Sequence, residues 1–481
     1  MNNSRPLTFN ERLFLVNSIF KHRDAIQILV KLKKDDGFEL EIFQKAIQQA
    51  CDQSGLHRRK IKKGKITMTS ATTAKVSIHK WNEEPRLNHE LFINPIDYSS
   101  CLIEHHIILF ENYVFLLVKS HHVLMDGAAY VQHLKDIFST LRNEEENSDL
   151  KLYQEKDAYP ESTSETIPEL RSTTINKKHK SIVSKVPGVW NSRNITQCIS
   201  FPYQIKNLSA ILAIAGTKTI GRKSRFIIPF DLRKFQKCPK GFGNMTLPIY
   251  LDVHPYQTVK EIQTDLIIQI SHKSPLSNSL NSWKLSLIPD FLLILLIGLI
   301  QKLSTITSLY FSSGVLSDLG RLKLTEFSAP GLEALDLTPI PMVGAQSPYS
   351  AFSLTHEKGT RIGLTVNAGD GIELWKKNIM DIIKETQAGI RIDSEFYSQQ
   401  YINIIIHTWS NQLKIDPSVC HANLDSTFSK LGGNSQSLVL LHKEVQDRLS
   451  LDSDSSMNME IFSQGPLITI NQMIQLYSKY S

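Results

Sequence analysis

The stretch Val118-Lys119-Ser120-His121-His122-Val123-Leu124-Met125-Asp126-Gly127 decides how the rest of the chain is read. The apolar run before it, Tyr113 to Val118, has the character of a buried strand. The residues after it, Ala128 to Leu141, have the pattern of a helix. Two histidines, an aspartate and a glycine therefore sit at a strand-to-helix edge, where a rigid scaffold holds short polar groups. Adjacent strand side chains point to opposite faces, so one histidine reaches a site while the other is packed or hydrogen-bonded. His122 is the candidate general base, because an unperturbed imidazole titrates near neutral pH. Asp126 is placed to orient a ring or pair with a cation. Gly127 permits a turn or a close backbone approach. The competing reading is a core histidine pair beside a helix N-cap. Two adjacent strand histidines chelate a metal poorly, and no Cys-x-x-Cys or His-x-x-x-His lies nearby, so no metal is expected.

These residues carry a resemblance. His121-His122-x-x-x-Asp126-Gly127 is similar to the HHxxxDG signature of the condensation-domain and acyltransferase superfamily. That group includes peptide-synthetase condensation domains, polyketide-associated acyltransferases and wax-ester-type synthases. The resemblance implies an α/β, two-lobed fold of chloramphenicol-acetyltransferase type, with a tunnel between the lobes and the second histidine at its centre. It implies that His122 deprotonates an attacking amine or hydroxyl, with His121 and Gly127 completing the catalytic motif. Asp126 is then mainly structural, in an ion pair with an arginine. Arg233 is the candidate partner, since it follows the strand Phe226–Phe230 and precedes the turn Gly241-Phe242-Gly243-Asn244-Met245. The alternative is a surface arginine at a strand end. Arg5-Pro6-Leu7 with Glu11–Leu15, Ser317-Asp318-Leu319-Gly320-Arg321 and Ile362–Gly369 resemble, in order, the family's opening, a turn near its tunnel and a late strand. The further motifs of the peptide-synthetase branch are not cleanly present, which leaves amide and ester formation both open.

At 481 residues, 41% hydrophobic and 21% charged, the chain suits two or three globular domains. The net charge of +7 is scattered, which argues against nucleic acid as a partner. It attracts acidic carriers, phosphate-bearing thiols or anionic lipid heads weakly. Five widely spaced cysteines and a polar start, Met1 to Phe9, indicate a reducing, cytoplasmic compartment. His57-Arg58-Arg59-Lys60 reads as a solvated turn, or else as a docking patch for a phosphate or an acidic carrier. Phe291 to Ile300 is apolar throughout but falls short of the ~20 residues a spanning helix needs. The default is a helix buried between the lobes. The alternatives are a tunnel wall for a fatty chain or an interfacial helix giving weak peripheral membrane contact through residues 285–300.

The C-terminal residues form a separable module. Phe396 to Leu413 and Ser435 to Leu449 read as helices, with a third from Thr469, as in a small four-helix bundle. Leu431-Gly432-Gly433-Asn434-Ser435 resembles the phosphopantetheine attachment site of acyl and peptidyl carrier proteins. That resemblance implies a 4′-phosphopantetheine arm on Ser435, and a helix N-terminus favours its phosphate. The expected layout is an N-terminal lobe over 1–180, with a flexible crossover at 142–185, and a C-terminal lobe over 181–385. A linker at 386–394 and a carrier over 395–481 follow. The two modules imply a condensation-type acyltransferase in peptide- or polyketide-type natural product assembly, with coenzyme A or a carrier thioester as acyl donor. Its partners would be a phosphopantetheinyl transferase, an adenylating or loading enzyme in trans, and an upstream carrier. A coenzyme-A-dependent synthase of lipid or wax-like esters, and a non-catalytic docking scaffold, are the alternatives.

Overall fold

A computed structural model describes residues 4–20, 25–62, 64–144, 151–152, 184–185, 190–235, 241–255, 257–271, 288–341, 347–368 and 371–416. Beyond these it describes 419, 426–427, 429–431, 438, 440–445 and 473. The expected crossover at 142–185 and the Gly432–Ser435 attachment motif lie almost or wholly outside the described residues. The chain divides into two compact units, Met1–Met380 and Asp381–Ser481.

The first unit begins with β1 (Ser4–Pro6), α1 (Phe9–Ile19), β2 (Ala25–Lys34), α2 (Leu40–Ser54), β3 (Arg59–Lys62) and β4 (Lys65–Met68). It continues through β5 (Val76–Lys80), a short α3 (Glu90–Ile93), β6 (Ile103–Phe110), β7 (Tyr113–His121) and α4 (Gly127–Leu141). The hairpin of β6 and β7 pairs antiparallel from Phe110↔Tyr113 to Ile103↔Ser120. All of β7 beyond Tyr113 is buried, which explains its unbroken apolar run: it is a central strand covered on both faces. On one face Ile107, Leu116 and Val118 pack with Phe43 and Ile47 of α2 and Leu134 and Phe138 of α4.

The second half contributes short strands β8 (Lys151–Leu152) and β9 (Ser184–Lys185), then β10 (Trp190–Phe201), α5 (Leu208–Ile220), β11 (Ser224–Asp231), β12 (Gly241–Phe242) and β13 (Thr246–Val253). Next come α6 (Val259–Ser271), α7 (Asp290–Thr307), β14 (Leu309–Tyr310), β15 (Gly314–Arg321), β16 (Leu332–Ile340), β17 (Tyr349–His356), β18 (Gly359–Ala368) and α8 (Gly371–Leu413). Six of these strands form one sheet in the order β10-β18-β17-β15-β11-β13. The first sheet runs β16-β2-β7-β6-β5, so a strand from the second half completes it. The expected boundary at residue 180 therefore does not separate the two sheets, because Leu332–Ile340 pairs antiparallel with β2.

One expectation needs correction, and two others fall within named elements. Residues 317–321 end strand β15, with an irregular register between Asp318 and Arg321 and left-handed backbone at Gly320. Residues 386–394, expected as a linker, lie within the span of helix α8. The apolar segment after Pro289 is not buried between lobes: α7 packs one face on α1, through Leu293 and Ile297 against Val16, and leaves the other exposed. Periodicity could not settle the burial of α7, since an apolar run with no polar face carries no stripe to orient it.

In the second unit, Ile405, Ile406 and Trp409 of α8 are buried, as are Leu438, Leu441, Val445 and Met473. The Trp409 indole N–H lies 3.1 Å from Met473 Sδ.

Candidate active site

The site is built where β7 ends. His121 is its last residue, and the peptide then turns, with the Leu124 N–H donating to the His121 carbonyl at 2.9 Å. This bend sends the two rings to different neighbours. His121 is buried: its Nδ1 accepts from the Val123 N–H at 3.1 Å, and its Nε2 meets Ser18 Oγ of α1 at 2.7 Å. An Nδ1 that accepts from a backbone N–H leaves the proton of a neutral ring on Nε2, so His121 donates to Ser18. Burial, then the neighbouring His122, push its pKa down to about 3. His121 is therefore a fixed, neutral strut beneath the site rather than a group that reaches substrate.

His122 is half-buried and lies against Phe14 of α1, with ring centroids 4.0 Å apart and 8° between planes. Its Nδ1 is 3.2 Å from Asn244 Nδ2, on the turn before β13. Asn244 is itself oriented, because its Oδ1 accepts from the Thr246 hydroxyl at 2.8 Å and from the Thr246 N–H at 3.4 Å. Burial lowers the His122 pKa to about 4 against the pull of Asp126 and of the ring's bond to its own carbonyl. The ring is thus uncharged at neutral pH, the state a proton acceptor requires.

Asp126 caps α4: its Oδ1 accepts from the Ala129 N–H at 3.0 Å. Its Oδ2 accepts from the Met245 N–H at 2.6 Å and from Arg233 Nη1 at 3.0 Å. Arg233 also reaches Asp231 at 3.0 Å and the Gly243 carbonyl at 3.3 Å. Burial opposes the charge on Arg233, but the two carboxylates outweigh it and hold its pKa up. Asp126 is fully buried, so its work is to join α4 to the second half of the chain, not to meet substrate. Gly127 serves close approach rather than a turn. A Cβ there would fall 2.9 Å from Leu319 Cδ2 of β15.

The structure thus brings His121, His122, Asp126, Gly127 and Arg233 to one junction, while Ser435 lies outside the described residues. Sequence reasoning did not single out Phe14, Ser18 or Asn244 for this junction. The Gly-Asn turn was the one visible signal among them. α1 holds its two residues in place through a capping box, Thr8 with Glu11, and through Arg5, whose guanidinium grips Glu11 at 2.6 and 2.7 Å.

A second cluster also escaped the sequence, because its members come from three elements. Cys51 of α2, His105 of β6 and His133 of α4 are buried, with possible ligand atoms within 4.8 Å of one another. His105 Nε2 and His133 Nε2 are 3.0 Å apart, so one ring donates to the other. Burial, then Asp52, push the Cys51 thiol up to about 12. Burial holds His133 down to about 4, and burial, then His133, hold His105 well below its usual range. A divalent ion bound by one thiolate would leave net positive charge in an apolar core, which is costly. Cys51 Sγ lies 3.8 Å from His105 Nε2, and the three side chains pack together in the core.

Comparison with known proteins gives the fold. The structure is similar to the condensation domain of the Monacolin K polyketide synthase MokA, with a TM-score of 0.53 and 8% identity, covering 79% of this chain and 96% of that one. It is equally similar to a mutant starter condensation domain of rhizomide synthetase RzmA in complex with C8-CoA and Leu-SNAC, with a TM-score of 0.53 and 11% identity. That match covers 79% of this chain and 94% of the other. No family model matches the chain. No curated protein matches it either. The fold of the first unit is that of a condensation domain.

Proposed function

We propose that the protein is a condensation-type acyltransferase that joins a thioester-bound acyl group to an amine or hydroxyl. The observation that carries this reading is His122: a neutral, partly buried imidazole held between Phe14 of α1 and Asn244 before β13, beside the Asp126–Arg233 pair. As the nucleophile attacks the thioester carbonyl, His122 Nε2 takes its proton. The new C–N or C–O bond forms, the C–S bond breaks, and the leaving thiolate recovers the proton from the imidazolium. This use of Nε2 requires the proton of the neutral ring on Nδ1, donating to the His122 carbonyl. Asn244 Nδ2 donates to that carbonyl at 3.4 Å while its Oδ1 stays on Thr246, so the turn before β13 holds the His122 backbone in place. Asn244 is in this reading a positioning residue for His122.

The donor is an acyl or peptidyl thioester on coenzyme A or on a carrier. The RzmA complex, with an eight-carbon acyl-CoA and an aminoacyl thioester, supports that class of donor and an amine acceptor. Ser435 carries a 4′-phosphopantetheine arm, whose thiol holds an acyl group. Attachment is made by a phosphopantetheinyl transferase, and a loading enzyme in trans supplies the acyl group. Intact mass after incubation with coenzyme A and a broad-specificity phosphopantetheinyl transferase tests the carrier. One added arm is expected in the wild type and none in Ser435→Ala; no addition in either rejects the carrier part. Ester formation on a lipophilic alcohol, with coenzyme A as donor, is the second reading. It is favoured by the outward apolar face of α7.

A further inference from the structure

We propose that α7 and the hairpin of β3 and β4 seat the protein on an anionic lipid surface. Phe291, Leu295, Leu299, Leu303 and Ile306 follow one another at helical spacing and are each 49–72% exposed. A contiguous row of large exposed apolar side chains is rare on a protein that meets only water. The helix is well anchored beneath, since Leu293 and Ile297 pack on Val16, and Gly298 lets the Phe20 ring approach. Its exposed face is therefore a finished surface of a docked helix. Among the described residues no helix is long and apolar enough to cross a membrane. Such a helix lies in the interface instead.

Charge identifies the occupant. The only acid of α7, Asp290, is held by Arg12 at 2.8 Å, and its only base, Lys302, is exposed beside the apolar row. At the helix N-terminus lies the β3–β4 hairpin. A Cβ at Gly64, in its turn, would fall 3.1 Å from Asp290 Oδ2. From Arg58 to Lys65 the chain carries six cations and no acid. Arg58 is paired with Asp52 at 3.0 Å. Among the described residues Lys60, Lys62 and Lys65 form no ion pair, and Lys62 and Lys65 are exposed. A basic hairpin against an apolar helix matches a surface of acyl chains under anionic headgroups. A purely apolar partner would leave the cations unmatched, and a second copy of this surface would bring like charges together. α1 links the surface to the site, since it packs on α7 while its Phe14 and Ser18 touch His122 and His121. The inference rests on the surface alone and stands whether or not the reaction is the one proposed above.

The test is flotation of the full chain with vesicles of phosphatidylcholine alone and with about 30 mol% phosphatidylserine. The wild type is expected to float with the anionic vesicles and to stay behind with the neutral ones. Leu295→Glu with Leu299→Glu should abolish flotation while leaving the circular dichroism unchanged. Lys62→Gln with Lys65→Gln should weaken binding by about thirtyfold. A wild type that ignores anionic vesicles overturns the proposal, as does flotation unaffected by the two glutamates. A dimer in light scattering that the glutamates split, without vesicle binding, assigns the face to self-association and overturns it too.

Discussion

Asp126 and Arg233 are 107 residues apart in sequence and 3.0 Å apart in space, and their contact joins the first turn of α4 to the turn that follows β11. Removing Arg233 leaves Asp126 buried without a countercharge, which costs about 3–5 kcal/mol. Asp126 has no exposure at all and Arg233 little, so the full range applies to Arg233→Ala. We expect its denaturation midpoint to fall accordingly. Asp126→Asn with Arg233→Gln should be less harmful than the two single changes together. A double-mutant cycle by urea unfolding measures that coupling.

Gly127 and Leu319 form a second, apolar contact between the halves. Gly127→Ala pushes a methyl against Leu319 Cδ2, and overpacking of this kind costs about 1–3 kcal/mol. Because the obstacle is the end of a flexible side chain, Leu319→Ala should recover part of the loss. The thermal midpoints of the two single variants and the double variant check this.

The buried histidines make a prediction about acid. His105, His121 and His133 are held below the ordinary histidine value of about 6.5 by burial. Below that pH the unfolded chain takes up protons that the folded chain refuses. Stability therefore falls as pH drops, by about 1.4 kcal/mol per pH unit for each ring. The loss continues to pH about 4 for His133 and about 3 for His121, where the folded rings also protonate. Urea midpoints from pH 7 to pH 4 should fall steeply, and His133→Gln, if folded, should flatten the slope.

Most of the first unit was legible. Strand β7 and helix α4 follow from an apolar run and helical spacing, and β7 extends three residues past Val118. The Asp126–Arg233 contact was expected because the order of short motifs matched a family pattern. Phe14 and Ser18 were not legible, since an ordinary amphipathic helix does not declare which residue lies against a ring more than a hundred positions away. The strand exchange by β16 was hidden for the same reason: strand pairing between distant segments leaves no local mark. The exposed face of α7 is not legible in the sequence, because hydrophobicity alone does not fix burial, which depends on what packs against a surface.

Asn244→Asp probes the tautomer. A carboxylate facing Nδ1 fixes the proton there and favours the imidazolium, so the His122 pKa should rise from about 4. A protonated ring accepts nothing, so the acid limb of the rate profile should move to higher pH. Phe14→Ala removes the ring stack and should lower kcat by about ten- to a hundredfold through misplacement of the imidazole, with the pH limb unmoved.

The most direct measurement is thiol release from a panel of acyl-coenzyme A thioesters, including the eight-carbon one, in the presence of amine and alcohol acceptors. Wild type is compared with His122→Ala at matched folded protein. Acceptor-dependent release that falls by about 10²–10⁴-fold in the variant is the predicted result. Acceptor-dependent release that is equal in both proteins, or absent from the wild type across the panel, would contradict His122 as the base of an acyl transfer.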